Sequence, residues 1–386
     1  MATRKQLPAD AYTVGIIYAK PLEMNAITVM LDEFYQSIPL QLGDNNEYTL
    51  GRIGSHNVII AGPAKGAQGK ASISSVVTRI PLTFKNIRVG LLVGIGGGVP
   101  YPDDADVRLG DVVVGAPEYG PAIVQYDLGR QYTHETTVER TLNKPPDLIL
   151  RVVDKVHNDL QLLEEGEEDF FAAHLQRFSK YPRMKNAYRR PKAVDRLFQS
   201  QYEHDGNPCA SHDAAYEIER EERDPGDIRI HYSTILSGDM VMKSGEIRDA
   251  LSAKHHNALC FEMEAAGVMD VFPCLVIRGI CDYCDSHKNK VWQEYAAATA
   301  ASYARKVLLS MAERVVDDLA SHVKGIEAAS SEASNVSQEN GDKATEVAPK
   351  LPSPGTVNAQ FHGNNNSGIQ VGSNVGDITF GGPARN

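Results

Sequence analysis

The chain predicts an α/β domain built around a largely buried sheet, and three observations carry that expectation. Short β-branched runs recur along the sequence, with helical patterns between them. The runs are apolar at nearly every position instead of alternating with polar residues, as expected of strands covered on both faces. With 386 residues, 42% of them hydrophobic, the chain can also enclose a large core.

In order, "YTVGIIYA" (12–19) is the first strand. "PLEMNAITVMLDEF" follows as a helix, with Leu22, Ala26, Val29 and Met30 at helical spacing. "HNVIIAGP" (56–63) is a second strand, leading through a glycine turn into the helix of "GAQGKASISSVVTRI". "IRVGLLVGIGGGV" (87–99) is a third strand that ends in glycines, and "LGDVVVGA" (109–116) a fourth. "IRIHYSTILSG" (228–238) and "CLVIRGICD" (274–282) are further strands. Between them "CFEMEAAGVMD" (260–270) has the apolar content of a buried helix but carries Glu262 and Glu264. The alanine-rich stretch 291–320 is a long helix.

The region from about 130 to 228 breaks this rhythm. It holds the acidic "EEGEED" and then eight Lys or Arg between Arg177 and Arg196, and it reads as a partly helical insertion on the edge of the core. Residues 1–322 thus form one domain, 323–358 a disordered linker rich in Ser, Glu, Asn and Pro, and 359–386 a tail of different character. The net charge of −11 disfavours nucleic acid and anionic membranes as partners. No apolar run is long enough to span a bilayer, and "MATRKQLPADAY" lacks the apolar core of a secretory signal. Five cysteines, an odd number, point to reduced thiols and a cytoplasmic location.

Several residues stand out chemically. The glycines Gly96, Gly97 and Gly98 form either a tight turn or a loop whose N–H groups approach a ligand; neither a dinucleotide fingerprint nor a P-loop is present. "CDYC" (281–284) lacks the second pair that a zinc or redox site requires, so no metal is expected. Asp282 stands where a strand ends, the ligand-facing edge of an α/β sheet, but also a common helix-cap position. Glu23, near a helix start, is either a dipole-favoured acid or a functional one. Glu262 and Glu264, two residues apart, point different ways on a helix, which leaves one free to face solvent.

In combination these stretches are more specific. "VGIIYAKPLEMNAI", "GIGGGVPY…LGDVVVG", "SGDMVMKSGEIRDALS", "FEMEAAG" and "IRGICDYCDSHKN…YAAATAASYA" occur in the order of the nucleoside phosphorylase and nucleosidase superfamily, and resemble most the branch found in fungal NLR-type proteins. The resemblance implies a three-layer α/β domain around a twisted mixed sheet, no cofactor, a purine nucleoside or nucleotide substrate, and a homo-oligomer. It implies that Glu264, Met263 and Glu262 bind ribose, with Glu264 accepting from the sugar hydroxyls. Asp282 matches the residue that protonates the purine, and Glu23 the glutamate that activates water in hydrolytic members. Val241 and Met242 fall where the base is bound. Phosphorolytic members carry an early arginine and a serine in the glycine loop; here "YAKPLEM" has no arginine and Ile95 replaces the serine. The implied activity is N-ribosyl hydrolysis in an immune or cell-death effector, with a phosphorylase or a non-catalytic scaffold as alternatives. Arg189, Arg190 and Lys243 are candidates for binding a 5′-phosphate, as in ATP, or merely balance the nearby acids. The tail "GIQVGSNVGDITF" resembles the amyloid signalling motif of fungal NLR systems, which implies an NLR-type receptor as partner through residues 359–383.

Overall fold

A computed structural model of the chain describes residues 4–101, 104–131, 136–138, 142–164, 169–204 and 214–312. The predicted linker and tail lie outside the described residues. Thirteen strands and seven α-helices are described: β1 (Val14–Ile17), α1 (Pro21–Val29), β2 (Glu33–Phe34), β3 (Thr49–Ile53), β4 (His56–Ala61), α2 (Gly69–Val77), α3 (Ile80–Thr83), β5 (Val89–Gly98), β6 (Val112–Val114), β7 (Ile123–Gln125), β8 (Gly129–Gln131), β9 (Thr136–Val138), α4 (Asp147–Gln161), α5 (Phe170–Gln176), β10 (Ile230–Tyr232), β11 (Ile235–Ser237), α6 (Gly245–Lys254), β12 (Cys260–Glu262), β13 (Leu275–Asp282) and α7 (Gln293–Ser310).

Eleven of these strands form one mixed sheet, with the main order β10-β6-β13-β5-β1-β4-β3-β2. β1, β4, β5 and β13 run parallel at its centre. The far end of β5 leaves β1 and pairs antiparallel with β12, Gly97 opposite Phe261 and Gly98 opposite Cys260. β12 in turn pairs with β11, and β11 with β7. The sheet therefore divides at the C-terminal ends of β1, β5 and β13, the crevice where α/β sheets bind ligands.

Strand alternation assigns two covering layers. Ile16, Ile60, Leu91 and Ile277 bury against α1, α4, α5 and α7. Ile17, Ile59, Leu92 and Val276 bury against α2 and α3. The fold is thus the three-layer α/β domain that the sequence predicts. α7 is buried nearly all round, and its alanines let β13 approach so closely that a Cβ at Gly279 would overlap the Ala296 carbonyl. No described helix is long and apolar enough to cross a membrane.

Three local expectations are corrected. The inserted region does not merely sit on the edge: Ile149, Val153, Val156, Phe171 and Phe178 share the core with α7, because the apolar face of α4 must be covered. The stretch 260–270 is not a helix but the strand β12, a turn and a single 3₁₀ turn at Ala265–Gly267. The Glu262 carboxylate turns the chain there by accepting the N–H groups of Glu264 and Ala265. Gly96, Gly97 and Gly98 are not a loop; they complete β5, where the missing side chains admit Cys260, Cys284 and Ile280.

Candidate active site

A cavity of about 310 Å³ opens where the sheet divides. Glu23, Glu262, Glu264 and Asp282 all reach its wall, with Met263, Val241, Met242, Lys243, Gly96 and Gly97. Sequence separations as large as that from residue 23 to 282 are thus closed by the sheet order.

Glu23 is the third residue of α1, which begins at Pro21, a residue preorganised for a first helical turn. Its Oε2 accepts the N–H groups of Ala19 and Lys20, each at 2.8 Å. Its Oε1 accepts the Ile95 N–H at 2.9 Å. The carboxylate is therefore a helix-start acid and is also tied to β5, which fixes its position at the cavity wall.

Glu262 and Glu264 are both buried, and Arg278 is the reason. This arginine sits in the middle of β13 with no exposure. Its Nη2 contacts Glu262 Oε2 directly and lies 3.5 Å from Glu264 Oε2. Burial opposes the guanidinium charge, but Glu262, Glu264 and Glu23 outweigh it and raise its pKa. Glu262 is consumed by this pair and by two backbone N–H groups. Glu264 is less compensated: burial, helped by the charges of Glu262 and Glu23, pushes its pKa up to about 7 against the pull of Arg278. Gly94 is required behind them, since a Cβ there would run into the Arg278 guanidinium and the Glu23 carboxylate.

Asp282 ends β13, where the pairing with β5 shifts between Ile280 and Asp282. Such an irregularity re-aims a side chain. Its Oδ1 accepts the Cys284 N–H at 3.0 Å and faces Lys288 Nζ at 3.2 Å. Its Oδ2 accepts the Cys281 thiol at 3.2 Å. Cys284 adopts φ of 58°, a left-handed conformation that a β-carbon disfavours and that aims its N–H at Asp282. Burial, then the Asp282 charge, pushes the Cys281 thiol far above its usual pKa, so it is an inert donor.

Some predicted residues do not come together here. Arg189 is exposed, and Arg190 stacks on Trp292 and lines a separate polar cavity beside Arg223. Gly98 pairs with Cys260 outside the cavity wall. Conversely, sequence reasoning missed Arg278, although one arginine in an otherwise apolar strand signals a buried carboxylate partner. It also missed Lys288, Lys20, Lys290 and Gln68, which loops bring to the cavity and no pattern announces.

Comparison with known proteins fits this arrangement. Residues 13–316 match the family model of the phosphorylase superfamily. The chain belongs to that superfamily. An NLR-like protein of Hyaloscypha variabilis is 39% identical over 311 residues, 79% of this chain. The chain spans only 30% of that relative's length. The ATP nucleosidase Cap17 of Escherichia coli is 33% identical over 79 residues, 19% of this chain and 16% of Cap17. Among solved structures, a Borrelia burgdorferi B31 protein assigned to the 5′-methylthioadenosine/S-adenosylhomocysteine nucleosidases, with adenine bound, has a TM-score of 0.50. It is 16% identical, and the match covers 77% of this chain and 99% of that one; the likeness is one of fold.

Proposed function

We propose that the cavity hydrolyses the N-glycosidic bond of purine nucleosides or nucleotides. The observation that carries this reading is the convergence of Glu23, Glu264 and Asp282, each held differently, on one cavity of about 310 Å³. That size suits a nucleoside. Glu264 accepts from the ribose hydroxyls, Met263 packs on the sugar face, and Glu262 with Arg278 holds the turn that presents them. Glu23 takes the proton of a water that attacks C1′. Positive charge builds on the sugar in the transition state, and the carboxylates stabilise it. Val241 and Met242 flank the base, and the Asp282 end supplies the proton that a departing purine needs.

Water rather than phosphate is favoured as nucleophile because, among the described residues, no arginine lines the cavity. A 5′-phosphorylated substrate is favoured over a bare nucleoside. Lys20, Lys243 and Lys290 line the cavity, and among the described residues they have no carboxylate in ion-pair reach. Lys243 is retained from the sequence-derived phosphate candidates, and Lys20 and Lys290 take the place of Arg189 and Arg190. The names of the relatives support an ATP nucleosidase reading and a role within an NLR-type immune or cell-death system. The proposal extends to a cytoplasmic homo-oligomer whose 359–383 segment engages an NLR-type receptor.

The deciding experiment incubates the protein with adenosine and with ATP, with and without phosphate. Free adenine without phosphate is expected, faster from ATP. Glu23→Gln or Asp282→Asn should lower release by about 10²–10⁴-fold with the fold retained. A requirement for phosphate would make the protein a phosphorylase. Wild-type turnover in both variants would overturn the catalytic assignment of these two residues, and no base release by the wild-type protein would leave a binding scaffold.

A further inference from the structure

Tyr283 follows Asp282 directly, yet its side chain leaves the cavity and is buried against the inserted region. Its hydroxyl donates to Asp195 Oδ1 at 2.7 Å and accepts from Arg220 Nη1 at 2.9 Å. Arg220 also lies over the ring, 5.5 Å from its centre, and pairs with Asp195 at 3.1 Å. Burial, then the charge of Asp195, pushes the phenol well above its usual pKa, so it stays a donor. It touches no reacting group; what it can do is fix the backbone that carries it.

That backbone is held from a second direction. Arg248 of α6 is buried and donates through Nη1 to the Tyr283 carbonyl at 2.7 Å and through Nη2 to Ser200 Oγ at 3.1 Å. The carbonyl belongs to the same planar peptide group as the Cys284 N–H, which donates to Asp282 Oδ1 at 3.0 Å. Holding one end of the plane aims the other. It has to be held, because Cys284 has a φ of 58°, and a residue with a β-carbon relaxes to negative φ when released. Asp195, Ser200 and Arg220 all come from the inserted region, so both anchors belong to the part of the chain that interrupts the α/β rhythm.

We propose that Tyr283 is a positioning residue, through which the inserted region holds the Asp282 carboxylate against the departing base. This rests on the N-glycosidase reading above. Proton transfer requires hydrogen-bond reach, so a displacement of about 1 Å is enough to slow it. Without the Tyr283 hydroxyl, Asp195 and Arg220 still pair and the ring still fills its place, but the hydrogen bonds from that pair to the end of β13 are gone.

The test uses the full chain with Tyr283→Phe, Asp282→Asn and the two combined, assayed for adenine release from adenosine and ATP. For Tyr283→Phe, kcat should fall by about 10–10²-fold with little change in KM and an unchanged circular dichroism spectrum. In the Asp282→Asn background the same substitution should cost almost nothing more, because the group it positions is already disabled. Ser200→Ala loosens the second anchor and leaves the ring in place. It should lower kcat in the same selective way, and it carries the test if the phenylalanine variant does not fold. Wild-type kcat in Tyr283→Phe, or in Ser200→Ala where only that variant folds, would overturn the proposal. So would losses that multiply in the double variant, since Tyr283 would then act apart from Asp282. Absence of base release by the wild-type protein would instead overturn the N-glycosidase reading, a distinguishable result.

Discussion

Replacing Arg278 with methionine tests whether the buried charge cluster holds the site together. The guanidinium has no exposure, and its partner Glu262 has a fully covered side chain. Removing one member of such a pair strands the other, which costs about 3–5 kcal/mol. Glu264 makes the loss depend on pH. Its folded pKa of about 7 lies above the usual 4.5, so its proton stabilises the fold fully below 4.5, and that contribution is lost as pH rises through 7. The interval between the two values corresponds to about 3 kcal/mol. Arg278 currently restrains this rise, so its removal should push Glu264 higher and widen the difference. The assay is urea unfolding followed through Trp292, the single tryptophan, which is 2% exposed. The expected loss is near the upper figure at about pH 8 and clearly smaller at about pH 5.5, where the carboxyls can protonate. Adding Glu262→Gln to the variant should recover part of it. A loss below about 1 kcal/mol, or one identical at both pH values, would refute the reasoning.

On the proposed N-glycosidase reading, turnover should rise as pH increases through about 7, because an ionised Glu264 is the stronger acceptor for the ribose hydroxyls and the better stabiliser of positive charge; Glu264→Gln should flatten that profile and raise KM. Gly279→Ala should prevent folding of the domain, since its Cβ overlaps the Ala296 backbone and neither β13 nor α7 can yield; soluble expression and circular dichroism check this. A peptide of residues 359–383 should form β-rich fibrils, and proline at Gln370 and Val371 should stop it; a monomeric peptide even in the presence of seeds would refute the signalling role.

The sequence by itself determined the sheet. Runs such as "VGLLV" and "LVI" have no polar face to show to water, so burial between two helical layers is their only stable arrangement. It also placed Glu23 at a helix start and Asp282 at a strand end, because Pro21 and the end of an apolar run are local signals. Reading Glu262 and Glu264 failed for the opposite reason. Their burial depends on Arg278, 16 residues from Glu262 in sequence and joined to it only when β12 and β13 flank β5. Likewise Gly96, Gly97 and Gly98 read as a tight turn or a ligand loop, although in the structure they complete β5 and their missing side chains admit Cys260, Cys284 and Ile280. Of the cations that charge pattern pointed to, Lys243 lines the cavity and Arg189 and Arg190 do not, whereas sheet order also brought Lys20 and Lys290 there. Local propensity fixes elements, whereas which charges meet is decided by long-range pairing, because an ion buried out of water is tolerated only where the tertiary structure supplies its partner.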